Sequence, residues 1–232
     1  MCGRFTLKTN IAGWVDEHFG ETVVDVPRQI EFGYNIAPTM SVLTVARDSQ
    51  DRLHCLPMVW GLIPPWAKSK SIGSTMINAR FETVLEKPSF RKPIQSRRCV
   101  VPADGYYEWK LDEEGVKQPF WIARPDEGPF VFAAVWEQNK GLAEPDRPLL
   151  SVSILTSHAS ESMADLHHRM PVMLFAEDAR RRWLNGEPIE KEELDQICRP
   201  HDRESFLLRK VSRRVGSVKN QDATLLEPVD VG

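Results

Sequence analysis

Apolar residues recur along this chain at two different spacings, and the change from one to the other outlines its elements. Between Ile11 and Phe19 they fall at helical intervals behind Thr9 and Asn10, two residues that can cap a helix, so a short first helix is expected there. The pattern then breaks into short runs of Val, Ile, Leu and aromatics divided by turn residues. Ser41–Ala46, Leu53–Trp60, Arg98–Val101, Pro119–Ala123, Phe130–Val135 and Leu149–Thr156 read as strands, with a further apolar strand at Val172–Phe175. Helical spacing returns over Ala176–Asn185 and Glu190–Cys198, and Lys140–Arg147 reads as a surface loop between two strands.

There is no regular alternation of strand and helix, which excludes a doubly wound parallel sheet. The pattern fits an α+β protein: a single domain over residues 1–232 with a curved, partly closed, barrel-like antiparallel sheet flanked by helices. Composition adds little to this, since 41% hydrophobic and 27% charged residues are ordinary for a globular chain. No apolar run approaches the roughly 20 residues of a membrane helix, and the opening MCGRFTLKTN lacks the apolar centre of a signal peptide, so a cytoplasmic location is expected. The four cysteines, Cys2, Cys55, Cys99 and Cys198, form no C-x-x-C pair and read as free thiols. The net charge of −3 conceals a basic stretch, Arg209–Lys219, and an acidic one, Glu187–Asp195. The basic stretch is either a solvated face or a nucleic-acid contact.

The candidate chemistry begins at the second position. Removal of Met1 would leave Cys2 with a free α-amine beside its thiol, and an α-amine of pKa about 7.7–8.0 attacks aldehydes near neutrality to give an imine. The thiol can then close a five-membered thiazolidine, which no internal cysteine can do. The plain alternative is an incidental buried thiol. Three polar clusters accompany it. Met76–Glu82 leads two apolar residues into Asn78 and Arg80, an amide and a cation suited to an anionic group or to a solvated turn. In Ala103–Lys110, Glu108 lies between Tyr107 and Trp109, either as a desolvated acid–base carboxyl or on an edge strand facing water. In Asp165–Pro171, His167 and His168 point in different directions on any regular element, so one is expected to face a site and the other solvent. No spacing supplies the further ligands that a metal needs. Trp60 and Trp66 bracket a proline-stiffened loop able to stack on bases, and Val211–Gln221 combines cations with small residues.

Seven ordered motifs, MCGRF, YNIAP, WGLIPPW, INARFET, DGYYEWK, LHHRMP and VGSVKN, together resemble the SRAP family (SOS response-associated peptidase) along nearly the whole chain. That resemblance implies a protein that shields abasic sites in single-stranded DNA. Met1 would be removed by the protein itself, and Cys2 would form a thiazolidine crosslink with the ring-opened sugar. It also implies Asn78, Glu108 and His167 as catalytic partners of Cys2. Arg4, Asn35, Trp66, Arg80, Arg169, Ser212 and Lys219 would be the DNA-binding set, with no metal and no cofactor. The partner would be single-stranded DNA with abasic sites, met by a monomer associated with the nucleoid if the protein is bacterial. Two departures stand out: His168 occupies a position that is commonly acidic in the family, and Lys68 and Lys70 follow Trp66 where some relatives carry a second tryptophan. Two other readings fit the same residues, an amidohydrolase using Cys2, His167 and Asn78, and a non-covalent strand-binding module using Trp60, Trp66 and the basic stretches.

Overall fold

Short runs of β-branched and aromatic residues become strands here, and turn residues end them. The computed structural model describes residues 2–19, 22–26, 33–112, 114–144 and 147–229, apart from the side chains of Ala12, Asp16 and Arg147. The first part of the chain supplies β1 (Phe5–Leu7), α1 (Ile11–His18), β2 (Val23–Val24), β3 (Gly33–Ile36), β4 (Ser41–Arg47), β5 (Leu53–Trp60) and β6 (Asn78–Arg80). The middle supplies α2 (Pro93–Ser96), β7 (Arg98–Ala103), β8 (Gly105–Leu111), β9 (Lys117–Ala123), β10 (Phe130–Glu144) and β11 (Arg147–His158). Then come β12 (Arg169–Pro171), α3 (Glu177–Leu184), α4 (Lys191–Ile197) and β13 (Leu207–Lys210).

Two hairpins make the barrel. β4 and β5 pair antiparallel with Val45 opposite Cys55, and β10 and β11 with Val135 opposite Ser153. β7 bridges them on one side, its Val100 facing both Val45 of β4 and Ala133 of β10. On the other side β11 meets β5 in a short parallel contact, Ser151 opposite Val59 and Val152 opposite Trp60, which closes the ring. Gly61 follows at once with φ of 126°, and a side chain there would collide with the backbone of Gly73, so only glycine lets the chain leave β5 at this angle.

A second, five-stranded sheet in the order β13-β9-β8-β1-β3 packs against the barrel. Its strand β8 is buried on both faces: Tyr106 joins the main core with Phe5, Trp60 and Phe132, while Tyr107 joins a smaller cluster with Trp121, Val211 and Leu225. Arg98, 6% exposed, fastens α3 to the barrel by donating to the carbonyls of Trp183 (2.6 Å) and Glu187 (2.7 Å).

Two expectations need correction. Lys140–Arg147 is not a separate loop, because β10 continues to Glu144 and β11 starts at Arg147, so the hairpin projects well past the barrel. Val172–Phe175 is not a strand either: the ladder with β11 lies at Arg169–Pro171, and beyond it only Met173 makes an isolated bridge, to Phe132. Among the described residues no helix is long and apolar enough to cross a membrane.

Candidate active site

The amino-terminal residues are drawn into the protein by β1. This strand lies between β3 and β8, with Phe5 opposite both Ile36 and Tyr106. The backbone N–H of Tyr107 donates to the carbonyl of Arg4 at 2.9 Å, which carries the pairing back towards Cys2. Cys2 is fully buried in the main core, its Sγ 4.0 Å from the Arg4 carbonyl oxygen. Burial, reinforced by the negative charge of Glu108, pushes the thiol well above its ordinary pKa, so it is held as the neutral S–H.

Strand alternation puts Glu108 on the same face of β8 as Tyr106. Glu108 is 4% exposed, and burial raises its carboxyl above the usual range. Glu108 and Cys2 both act electrostatically on the buried Tyr106 hydroxyl, whose pKa burial raises first, so the three groups share one neighbourhood. Asn78 opens β6, which runs parallel to β11 with Asn78 opposite Ile154. Its side-chain amide donates to the Cys2 carbonyl at 2.9 Å, while its Oδ1 is buried with no hydrogen-bond partner among the described residues.

The turn before β12 supplies the histidines. His167 is half-buried and His168 exposed, the division expected from their adjacency. Nδ1 of His167 sits between two backbone groups of Arg169, 2.9 Å from its N–H and 3.0 Å from its carbonyl oxygen, so the neutral ring can accept from one and the protonated ring can donate to the other. Desolvation holds the His167 pKa below the ordinary imidazole value. The site thus offers a buried carboxyl with a raised pKa, an imidazole with a lowered one, and a neutral thiol on the second residue of the chain. Among the described residues no group of three or more His, Cys, Asp or Glu is arranged to hold a metal ion.

Comparison with known proteins places this arrangement. The family model described as "SOS response associated peptidase (SRAP)" matches residues 1–218. The chain belongs to the SRAP family. Among curated SRAP relatives, "Abasic site processing protein YoaM" of Bacillus subtilis is 40% identical over 228 residues, covering 98% of each chain. "Abasic site processing protein YedK" of Escherichia coli is 34% identical over 239 residues, covering 99% of this chain and 100% of its own. Among solved structures, a protein from Bacteroides thetaiotaomicron superposes with a TM-score of 0.80 at 27% identity, covering 98% of this chain and all of that one.

The SRAP motifs that were expected to bind DNA separate once folded. Trp66 is 60% exposed, and Arg80 and Lys219 also face solvent. Arg4 is half-buried, and its guanidinium donates to Asn35 Oδ1 (2.7 Å) and to the carbonyls of Val215 (2.8 Å) and Gly216 (3.2 Å). Ser212 is a helix cap, accepting from the Arg214 N–H at 3.3 Å. Asn35 is fully buried and its amide donates to the carbonyls of Val215, Ser217 and Asn220, which shapes the 215–220 loop. Arg169 is 4% exposed and pairs twice with Glu82, at 2.8 and 3.0 Å, and with Thr156. Trp60 is likewise fully buried and donates to the Ile77 carbonyl, which removes it as a stacking platform.

Two residues that sequence reasoning passed over support this SRAP site. Glu82 neutralises Arg169 and accepts from the His158 N–H, and the only hint of it was an acid two places after Arg80 in INARFET. Asn139, fully buried on β10, donates to the carbonyls of Pro64 (2.7 Å) and Ala67 (3.0 Å) and so holds rigid the loop that presents Trp66. No sequence signal marked it, because its partners lie more than 70 residues away.

Proposed function

We propose that this protein processes abasic sites by forming a covalent thiazolidine crosslink between Cys2 and the ring-opened sugar in single-stranded DNA. The observation that carries this reading is Cys2 itself: the residue whose α-amine becomes free when Met1 leaves lies sealed beside Glu108, with its backbone clasped by Asn78. Relatives named as abasic site processing proteins, aligned along almost their whole length, support the substrate.

The reaction balances as follows. Water cleaves the Met1–Cys2 peptide, giving free methionine and the Cys2 amine. The nitrogen lone pair attacks C1′ of the sugar aldehyde to give a carbinolamine, which loses water to an imine. The Cys2 sulfur then adds to the imine carbon while its proton passes to nitrogen, closing the ring. A thiol that stays neutral leaves the amine to attack first, and Glu108, whose carboxyl burial raises above the usual range, can protonate the departing hydroxyl. The orphan Oδ1 of Asn78 is an acceptor for the new amine or for a sugar hydroxyl. His167, held neutral, takes the proton of a sugar hydroxyl as the furanose opens. Trp66 and the exposed cations Arg80 and Lys219 hold the flanking strand by stacking and charge. On this reading the protein works with DNA in the cytoplasm, as a monomer and a single domain over residues 1–232.

The thiol's high pKa opposes the amidohydrolase reading, which needs a thiolate. The test is incubation of the full chain, shown by intact mass to lack Met1, with single-stranded DNA bearing one abasic site. The expected product survives heating on a denaturing gel and has the summed mass of protein and DNA less one water. A Cys2→Ala protein binds the strand without forming it. No adduct from protein with a free Cys2 amine would overturn the proposal.

A further inference from the structure

The two imidazoles of the HHR turn are stacked, with ring centroids 4.3 Å apart and planes 27° from parallel. His168 forms the solvent side of the stack and His167 the site side. At this separation a proton on one ring repels a proton on the other, so the pair takes up its two protons in separate steps that belong to both rings. The surrounding charges come from three other directions. Arg169 of β12 repels protons from both rings, although its guanidinium is already matched by Glu82, and the positive amino terminus acts in the same sense. The His167 charge is the largest of the influences that lower the His168 pKa, and Glu108 of β8 acts the opposite way.

We propose that His168 is a positioning residue that fixes when His167 gains its proton, and thereby sets the pH range over which this site opens and closes the sugar adduct. The stack does this by geometry. His167 is anchored at Nδ1 by both backbone groups of Arg169, so it cannot swing away when its neighbour ionises. His168, exposed and lying over it, exchanges protons with solvent freely. The repulsion across the stack is mutual, so whenever His168 holds the proton of the pair His167 stays neutral, and this extends the range of a neutral base at the site towards acid. An acid at position 168 would reverse the sign, holding the proton on His167. The site would then favour its protonated form, and its activity would fall at a higher pH.

This inference builds on the abasic-site reading, and its test is arranged so that the two fail separately. His168→Phe keeps a flat ring over His167 without a charge, and His168→Glu supplies an acid. In the full chain without DNA, the imidazole C–H signals of His167 followed by NMR are expected to titrate at a higher pH in His168→Phe than in the unchanged protein, and higher again in His168→Glu. Three superimposable titrations would overturn the proposal. The acid limb of the rate of adduct formation with the abasic single strand is expected to move in the same order. An acid limb that stays put while the NMR midpoints move would also overturn it, by showing that the pair does not govern the chemistry. Absence of adduct from all three proteins would instead refute the crosslinking reading, and the NMR order alone would then decide whether His168 controls His167.

Discussion

The buried groups proposed for the chemistry, the floor of the proposed site, and the exposed residues proposed to grip DNA, its rim, are built in opposite ways. On the floor, Cys2 and Glu108 are removed from water and their ionisation is displaced, and His167 is pinned at one ring nitrogen. On the rim, Trp66, Arg80 and Lys219 stand in solvent. The contrast teaches which property each task needs. Proton transfer and covalent attack require groups held in one geometry with shifted affinity for protons, whereas gripping a strand requires exposed rings and cations. Substitutions should therefore divide cleanly, with the floor controlling rate and the rim controlling affinity.

The largest expected effect is on the floor. Glu108→Gln should slow adduct formation by about 10²-fold or more, the usual span for a lost general acid or base, with affinity for an intact strand unchanged. The signs also follow. Because the Glu108 pKa is raised, its proton is kept past the usual carboxyl range and lost as pH rises, so the alkaline limb of the rate profile should vanish in this variant. Because the His167 pKa is lowered, its neutral form persists below the ordinary 6.5, so the acid limb should remain. Glu82→Gln comes next and probes the boundary between the two regions. It leaves the buried Arg169 charge without its anion and should cost about 2 kcal/mol, a fall of several degrees in Tm by calorimetry. An unchanged Tm would mean that Arg169 belongs with the rim after all.

Trp66→Ala should weaken binding to the single strand by roughly tenfold, the worth of about one stacked base, while Tm and the rate at saturating DNA stay as they were. A slower reaction at saturation would break the division, because it would make the ring part of the floor. The smallest effect is expected for Lys219→Ala, which should lower the slope of log affinity against log salt by about 0.7. That is measurable by fluorescence anisotropy across a salt series.

The long strands were legible because their own residues specify them: Val, Ile and aromatics in Leu53–Trp60 or Phe130–Val135 suit a pleated surface wherever they are placed. The three-residue strands β1, β6 and β12 were not legible, since such segments become strands only when a neighbour supplies the ladder. β6 carries Asn78, β1 follows Cys2 and β12 follows His167, whereas Glu108 lies on the longer β8. Cys2 was singled out by its own chemistry and Asn78, Glu108 and His167 by the family resemblance, and the fold makes Asn78 and Glu108 neighbours of Cys2. Their surroundings were harder to read. Nothing in Leu166–Pro171 says that Arg169 turns inward, because that depends on Glu82, 87 residues away. Nothing in Trp60–Trp66 says that the first tryptophan is core and the last exposed, because that depends on where β5 ends against β11.

β11 has a consequence for the making of this protein. It bonds β10 from Leu149 to Ile154, β5 at Ser151 and Val152, β6 from Ile154 to Thr156, and β12 from Thr156 to His158. Barrel closure, the seat of Asn78 and the seat of the histidine turn thus all wait on one segment in the second half of the chain. The pocket around Cys2 is therefore complete only once Pro171 has been made. Contacts between segments so distant in sequence form slowly, so Cys2 passes through a long interval before its surroundings are assembled.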